Sequence, residues 1–369
     1  MDYIPFTKPF LDEETIQGVA DVMRSGWLAS GPKVIEFESS LSDYLGGRIV
    51  KSFTSATGAL EVALELCDIG EGDEVITPAM SFAATPNVIL RVGAKPVFVD
   101  VDPDTRNIDL DQVKSAITPK TRAIMPVHFA GLSVDCDRLY DIAQKHGLRV
   151  IEDAAHAIGT RHKGRKIGSF GDIVSFSFHP NKNMTTIEGG ALSISDPTEA
   201  RKLDQLRFHG IVKDGEGNMD VALPGGKYNL SDVAARVGIG QIKNLDSFNE
   251  KRNQLVDRYF ECWELEACLL PAKDEGHSWH MFAPLIPFER LGFPRSEFIR
   301  AMHGQGIGVG IHYPALHLFS LYRKLGYREG DFPHAERIGR ETVTLPLFPM
   351  MRMEDVERVC RTVSGILKP

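Results

Sequence analysis

A single lysine lies where a strand pattern gives way to a short polar connection. Val174, Phe176 and Phe178 alternate with serines as in a β-strand, Pro180 ends the strand, and Lys182 follows. A second strand pattern begins soon afterwards, so the lysine is held in a tight connection. A lysine amine becomes useful for Schiff-base chemistry when its surroundings lower its pKa from about 10.4. The alternative is a solvated surface lysine, because lysine is almost always exposed.

Two acids and a histidine follow another apolar strand pattern. Glu152 and Asp153 end the run 148–151, and His156 comes three residues later. Burying an unpaired carboxylate costs several kcal/mol, so an acid here needs a partner such as a cationic ring nitrogen. The alternative is that Asp153 is the N-cap of a helix.

Small residues separate a strand pattern from an alanine- and leucine-rich helix at Ser55, Ala56 and Thr57. Their backbone amides can approach a phosphate, and the helix N-terminus adds partial positive charge. The alternative is an ordinary helix N-cap at Thr57.

Strand patterns alternate with helical ones over the first two thirds of the chain. This alternation predicts a mostly parallel sheet with helices on both faces and ligands at the carboxyl ends of the strands, where Thr77, Asp153 and Lys182 would lie. The predicted strands are 74–77, 96–100, 123–127, 148–152, 174–178 and 191–195, and the clearest helix is 134–146.

The last third of the chain has a different pattern. A glycine-rich polar loop is predicted over 209–217, and a long helical zone runs from Ser231 to about Ala267. We predict a large domain over 1–245 and a small α+β domain over 246–369.

Composition excludes several functional classes. The 369 residues carry a net charge of −8 and no basic run, which argues against a dedicated nucleic-acid binder. The five cysteines never form Cys-x-x-Cys, so we expect a reducing compartment and no metal site. No signal or membrane-spanning pattern is present, so we expect a cytoplasmic protein with no membrane partner.

Six short motifs occur together in a characteristic order, and they cover nearly the whole chain. With them the sequence resembles the DegT/DnrJ/EryC1/StrS sugar aminotransferases, pyridoxal-phosphate (PLP) enzymes of aspartate-aminotransferase fold type I. That resemblance implies an α/β fold with a mostly parallel, seven-stranded-type sheet, helices on both faces and a smaller α+β C-terminal domain. The motifs are Ser-Ala-Thr at 55–57, Glu-Asp-Ala-Ala-His at 152–156, Ser-Phe-His-Pro-Asn-Lys-Asn at 177–183, Glu-Gly-Gly at 188–190, Arg-Phe-His-Gly at 207–210 and Lys-Tyr-Asn-Leu at 227–230.

The resemblance also implies roles for individual residues. Lys182 would carry PLP and move the proton, and Asp153 would pair with the pyridinium nitrogen. Phe82 matches the ring-stacking aromatic, and Ile187 departs from the glycine that many members have before Glu-Gly-Gly. The remaining implied site residues are Ser55, Ala56, Thr57 and Ser177 for the phosphate, with Asn229 from a second subunit, His156 and His179 lining the cofactor, and His312 and Tyr313 near the sugar.

By the same resemblance, L-glutamate would donate its amino group to a nucleotide-linked keto-sugar, leaving 2-oxoglutarate. The stretches 74–78, 306–312 and 345–349 resemble members that act on a UDP-4-keto-pentose, whose product enters lipopolysaccharide, lipid A or another surface glycan. Another nucleotide sugar, 3-keto or 4-keto-6-deoxy, is the main alternative. Lys182 counts against sugar dehydration, because the relatives that dehydrate carry histidine there. It also counts against a non-enzymatic regulatory role.

Overall fold

The computed structural model describes residues 2–368, and its centre is a seven-stranded sheet. The strands of the chain are β1 Ile49–Phe53, β2 Glu74–Pro78, β3 Lys95–Val99, β4 Thr121–Ile124, β5 Arg149–Asp153, β6 Arg161–His162, β7 Arg165–Lys166, β8 Ile173–Ser177, β9 Gly190–Ile194, β10 Ile211–Lys213 and β11 Met219–Val221. The central sheet has the order β1-β9-β8-β5-β4-β2-β3, in which only β9 is antiparallel to its neighbours. The predicted mostly parallel sheet is therefore confirmed.

Helices cover both faces of this sheet, as the alternating pattern predicts. The helices of the whole described chain are α1 Glu13–Ser25, α2 Pro32–Tyr44, α3 Ala56–Leu66, α4 Ala84–Arg91, α5 Leu110–Ala116, α6 Cys136–His146, α7 Pro197–Leu206, α8 Asp232–Cys262, α9 Phe288–Leu291, α10 Arg295–Gly304, α11 Ser320–Arg323, α12 Pro333–Glu341 and α13 Met353–Leu367. On one face α3, α4 and α7 pack against apolar strand residues, and α2, α5, α6 and α8 pack against the other. Strands β2 and β8 are buried along their whole length, as expected for a sheet covered on both sides.

A separate apolar core lies in the C-terminal part of the chain. It joins the second half of α8 to α10 and α13, around Phe282, Phe298 and Val359. Helix α8 therefore belongs to both cores and connects them. The predicted domain boundary at 245/246 falls inside this helix and stays a prediction.

Two sequence-based boundaries differ from the structure. The segment predicted as a glycine-rich loop contains β10, which pairs with β11 in an antiparallel hairpin, because Val212 and the residues beside it find backbone partners across a tight turn. The long helical zone ends at Cys262 instead of about residue 267, where the chain turns toward the C-terminal core. Within residues 2–368, no helix has the length and apolar character needed to cross a membrane.

The buried carboxylate of Asp232 links helices α2 and α8. The N-cap residue of helix α2 is Gly31, which has no side chain to accept hydrogen bonds, and Asp232 at the start of α8 supplies the acceptor instead. Its carboxylate accepts hydrogen bonds from the backbone N–H groups of Gly31, Lys33 and Val34 at 2.8, 3.1 and 3.0 Å. The free N–H groups of a helix start need such acceptors, and a negative charge also suits the helix dipole.

We expect Asp232→Ala to lower the free energy of unfolding by about 2–4 kcal/mol, because three backbone N–H groups, one buried and two half-buried, lose a charged acceptor. Chemical denaturation followed by circular dichroism measures the change. Asp220→Ala, on the exposed β10–β11 hairpin, is the control and should stay within about 0.5 kcal/mol of the wild type. Equal stability of the two variants would contradict this account of the cap.

Candidate active site

The first part of the site is the start of α3, which lies at the end of β1. Ser55 caps this helix, since its Oγ accepts from Gly58 N at 3.1 Å, so the alternative cap at Thr57 is wrong. Strand β9 approaches the helix start so closely that a Cβ on Gly190 would lie 2.4 Å from Ala56 N. Only glycine permits this contact, which leaves the first amides of α3 at the edge of a cavity.

Asp153 ends β5 with its carboxylate buried. Its Oδ2 accepts from the Thr85 hydroxyl at 2.8 Å and its Oδ1 from Ala155 N at 3.1 Å. Burial raises the pKa of Asp153, and these two donors act in the opposite direction. No helix follows Asp153, because residues 154–160 form turns, so the alternative reading as a helix cap is wrong.

The neighbouring acid, Glu152, points to the other side of the sheet. It accepts from the half-buried Tyr140 hydroxyl, and its Oε2 lies 2.7 Å from Nε2 of the buried His128. Successive strand residues face opposite sides of a sheet, so only one of the two acids can enter the cavity. Asp153, and not Glu152, is the acid that lines the cavity.

Lys182 lies in the connection between β8 and β9, where the sequence predicts it. The connection is closed by hydrogen bonds from Phe178 N to Gly189 O and from Thr186 N to Phe178 O. Burial lowers the pKa of Lys182 to about 8, although the charge of Asp153 acts to raise it. Lys182 is also half-buried and lines the cavity described below, so the alternative of a solvated surface lysine is wrong.

These elements surround a cavity of about 300 Å³. Such a volume suits a small organic ligand. All of the sequence-predicted site residues line it except Asn229, and the lining ones are Ser55, Ala56, Thr57, Phe82, Asp153, His156, Ser177, His179, Lys182, His312 and Tyr313. Thr77, which the sequence also places at a strand end, is fully buried and donates to Met125 O instead.

The two inner histidines are neutral. His156 Nδ1 accepts from Ala130 N at 3.3 Å, so its proton is on Nε2, 3.3 Å from the Tyr313 hydroxyl. Burial holds the pKa of His156 well below its usual value and lowers that of His312 to about 4. They can donate or accept hydrogen bonds near neutral pH without adding charge to the cavity.

The outer rim is more exposed. The Phe82 side chain is 59% exposed, and its ring centroid lies 6.0 Å from that of Tyr313. His179 is also exposed and bonds through Nδ1 to Asn181. Ile187, beside the rim, adopts a φ of 75°, a strained value for a β-branched residue.

Asn229 lies outside the cavity of its own chain. It borders a surface depression that also contains Ser30, Arg207, Phe208 and Lys227. Its amide donates to the Ser30 hydroxyl, and its oxygen accepts from the Lys227 ammonium group.

The sequence analysis missed the residues that support Asp153. Thr85 is completely buried on α4 and also bonds to the Ser81 hydroxyl at 2.9 Å. Thr85 precedes Asp153 by 68 residues, and no local pattern relates the two. Asn181 and Glu188 also line the cavity without having been predicted.

The cavity has the features that PLP requires. The amides at the start of α3 can hold a phosphate, the desolvated amine of Lys182 can form a covalent bond to the cofactor, and Asp153 offers a buried acid for a ring nitrogen. With the sheet topology, these features define a PLP-dependent enzyme of aspartate-aminotransferase fold type I.

Comparison with known proteins gives the same result. The DegT/DnrJ/EryC1/StrS aminotransferase family model matches residues 9–364, and the chain belongs to this family. The spore coat polysaccharide biosynthesis protein SpsC of Bacillus subtilis is 39% identical, over 99% of this chain and 97% of its own.

Two solved structures extend the comparison. Spr1654 from Streptococcus pneumoniae, in its PLP form, has a TM-score of 0.93 and 33% identity and covers 99% of both chains. PseC of Helicobacter pylori, an aminotransferase involved in the biosynthesis of pseudoaminic acid, has a TM-score of 0.94 and 27% identity over 100% of both chains. The protein is accordingly a PLP-dependent sugar aminotransferase, and the fold and cofactor predictions are confirmed.

We expect the Lys182 amine of the cofactor-free protein to react with acetic anhydride with a midpoint near pH 8. A lowered pKa means that the neutral amine becomes abundant above about pH 8, whereas an ordinary lysine needs a pH near 10.4. Peptide mass spectrometry after brief labelling gives the pH profile, with the exposed Lys213 as internal control. Identical profiles for both lysines would contradict the desolvation of Lys182.

Proposed function

We propose that this protein transfers the amino group of L-glutamate to a nucleotide-linked keto-sugar, specifically a UDP-4-keto-sugar such as a UDP-4-keto-pentose. One observation carries this proposal. Among residues 2–368, Lys182 is the only lysine or arginine that lines the cavity. Arginine is the residue that clamps carboxylates in two-point hydrogen bonds, so this lining suits an uncharged, hydroxyl-rich sugar ring, and the carboxylates of glutamate would need a cation from the second subunit proposed below.

Each side chain of the cavity has a task in this reaction. Bound PLP supplies an electron sink for the carbon that loses or gains the amino group. Lys182 would hold the cofactor and, as a free amine, would carry the proton to and from that carbon. Its pKa of about 8 supports this role, because a proton carrier works best with a pKa near the working pH.

Asp153 would hold a proton on the ring nitrogen of the cofactor. Its hydrogen bonds from Thr85 and Ala155 fix the carboxylate and support its ionised form against burial. A fixed charge opposite a developing charge is commonly a large catalytic contribution.

The other cavity residues bind and orient. We assign the phosphate to Ser55, Ala56, Thr57 and Ser177, and ring stacking to Phe82. His312 and Tyr313 would contact the sugar, and His156 and His179 line the cofactor; His156 bonds to the Tyr313 hydroxyl and so fixes its orientation.

The relatives support an amino-sugar product. SpsC is named for coat polysaccharide biosynthesis and PseC for pseudoaminic acid biosynthesis, and we infer a product for lipopolysaccharide, lipid A or another surface glycan. A 3-keto or a 4-keto-6-deoxy hexose is the alternative acceptor, because the cavity residues named above suit any neutral sugar ring.

A panel of nucleotide keto-sugars tests this function. The PLP-loaded protein is incubated with nitrogen-15-labelled glutamate and each of a UDP-4-keto-pentose, a UDP-4-keto-6-deoxyhexose and a 3-keto-6-deoxyhexose nucleotide. We expect labelled amino-sugar by mass spectrometry, fastest with the UDP-4-keto-pentose, and none with Lys182→Ala. Faster transfer to another sugar would replace the substrate assignment, and a dehydrated, unlabelled product would overturn transamination itself.

We also propose a homodimer with shared active sites. Asn229 lies outside its own cavity, on a surface that also carries the ammonium group of Lys227. The phosphate-binding residues of the cavity are uncharged, so a phosphate dianion there lacks a cationic neighbour other than Lys182. A second copy that presents Asn229 and Lys227 would supply both an amide donor and a charge.

Mixed dimers test the sharing. We expect Lys182→Ala and Asn229→Ala each to lose most activity, and heterodimers of the two variants to recover activity at one of their two sites. Two different affinity tags isolate the heterodimer. The control variant is Asn218→Ala on the exposed hairpin, which we expect to be active by itself. Verified heterodimers without recovered activity would rule out a shared site.

A further inference from the structure

The buried hydroxyl of Thr85 bonds to a distant acid and not to its own helix. Thr85 lies in the first turn of α4, and its side chain is completely buried. Threonines in helices commonly donate to a backbone carbonyl of the same helix. The Thr85 hydroxyl instead donates to Asp153 Oδ2 at 2.8 Å, across 68 residues of the chain. Its hydrogen bond therefore serves the acid of the active site.

A second buried hydroxyl orients the first. Ser81 Oγ lies 2.9 Å from Thr85 Oγ1, and both groups are buried. A hydroxyl has one proton to donate, and an ionised carboxylate can only accept. Because Thr85 gives its proton to Asp153, Ser81 donates to Thr85. The three residues form a hydroxyl relay, Ser81 to Thr85 to Asp153, in which each hydrogen bond polarises the next.

This relay favours the ionised form of the acid. Burial raises the pKa of Asp153, and the hydrogen bond from Thr85 is the largest of the influences that lower it. The N–H of Ala155 and the charges of Lys182 and His128 act in the same direction with smaller effects. Within residues 2–368, Ala155 N is the one other hydrogen-bond donor to this carboxylate. Removal of the Thr85 hydroxyl would therefore leave a buried carboxylate that binds a proton more tightly.

The relay also includes the segment that carries the aromatic side chain of the rim. Ser81 lines the cavity and directly precedes Phe82. Thr85 N donates to Phe82 O at 3.2 Å, which closes the turn before α4. Thr85 itself does not line the cavity and can act on it only through its neighbours. The segment 81–85 thus supports two residues that we assign to the cofactor, Phe82 and Asp153.

We propose that Thr85 is a positioning residue for transamination, whose hydroxyl, oriented by Ser81, keeps Asp153 ionised and so keeps the shared proton on the ring nitrogen of the cofactor. The proposal rests on the role assigned to Asp153 above. No covalent bond other than that of the shared proton changes. Without the relay this proton moves from the ring nitrogen toward the carboxylate, and the ring withdraws electrons less strongly.

Nitrogen-15 NMR of the protein loaded with PLP labelled at the ring nitrogen measures the position of this proton. We expect Thr85→Val, which keeps the shape and removes the hydroxyl, to move the resonance toward that of unprotonated pyridine. Thr85→Ser keeps the hydroxyl and should retain the wild-type resonance. Thr77→Val is the matched control, because it removes an equally buried hydroxyl that donates to Met125 O, and it should also retain the wild-type resonance.

A single turnover with glutamate provides the kinetic measurement. We expect Thr85→Val to be slower on the order of tenfold or more, the loss that corresponds to one hydrogen bond to a charged group. Thr85→Ser should recover most of this loss, whereas a role limited to packing would be served better by valine than by serine.

Ser81→Ala keeps the proposal testable if Thr85→Val fails to fold, and it should move the resonance in the same direction by a smaller amount. A resonance that neither variant moves, while Asp153→Asn moves it, would overturn this proposal alone. Equal movement in Thr77→Val would also overturn it. A resonance that Asp153→Asn leaves unchanged would overturn the role of Asp153 and this proposal together. None of these measurements contains a sugar, so they do not depend on the acceptor.

Discussion

Charge that is buried at the carboxyl edge of the sheet is the constraint on which this site depends. Asp153 keeps its carboxylate inside the protein because Thr85 and Ala155 donate to it, and Lys182 lies nearby as a desolvated amine. Burial lowers the pKa of Lys182 and raises that of Asp153, and the charge of each group acts against this effect on the other. The parallel strands bring both groups to one edge, and the reversed strand β9 ties the lysine connection to it.

The predictable part of the structure came from local patterns. The position of Lys182 between two strands is predictable, because a strand, a proline and a second strand are consecutive in the chain. Helix α6 is predictable because its apolar face and final glycine are local signals. The alternation of strands and helices predicts the mostly parallel sheet, but not the order of its strands. Phe82, His312 and Tyr313 are predicted as site residues only by the resemblance to a family, because no local pattern connects them to Lys182.

The features that local sequence patterns do not predict are contacts between segments that are distant along the chain. Thr85 supports Asp153 across the sheet, and Asp232 caps a helix about 200 residues away from it along the chain. Ser55 instead of Thr57 caps α3 because the helix begins two positions earlier than the pattern suggests.

The length of α8 has a mechanical consequence. At about 1.5 Å per residue its 31 residues extend for roughly 46 Å, and its ends are embedded in two different apolar cores. Because one continuous helix connects the two cores, the C-terminal core can move relative to the sheet only if the helix bends or the contacts at one of its ends break. We expect the exposed rim around Phe82 and His179, and not a hinge between the cores, to admit the large substrate.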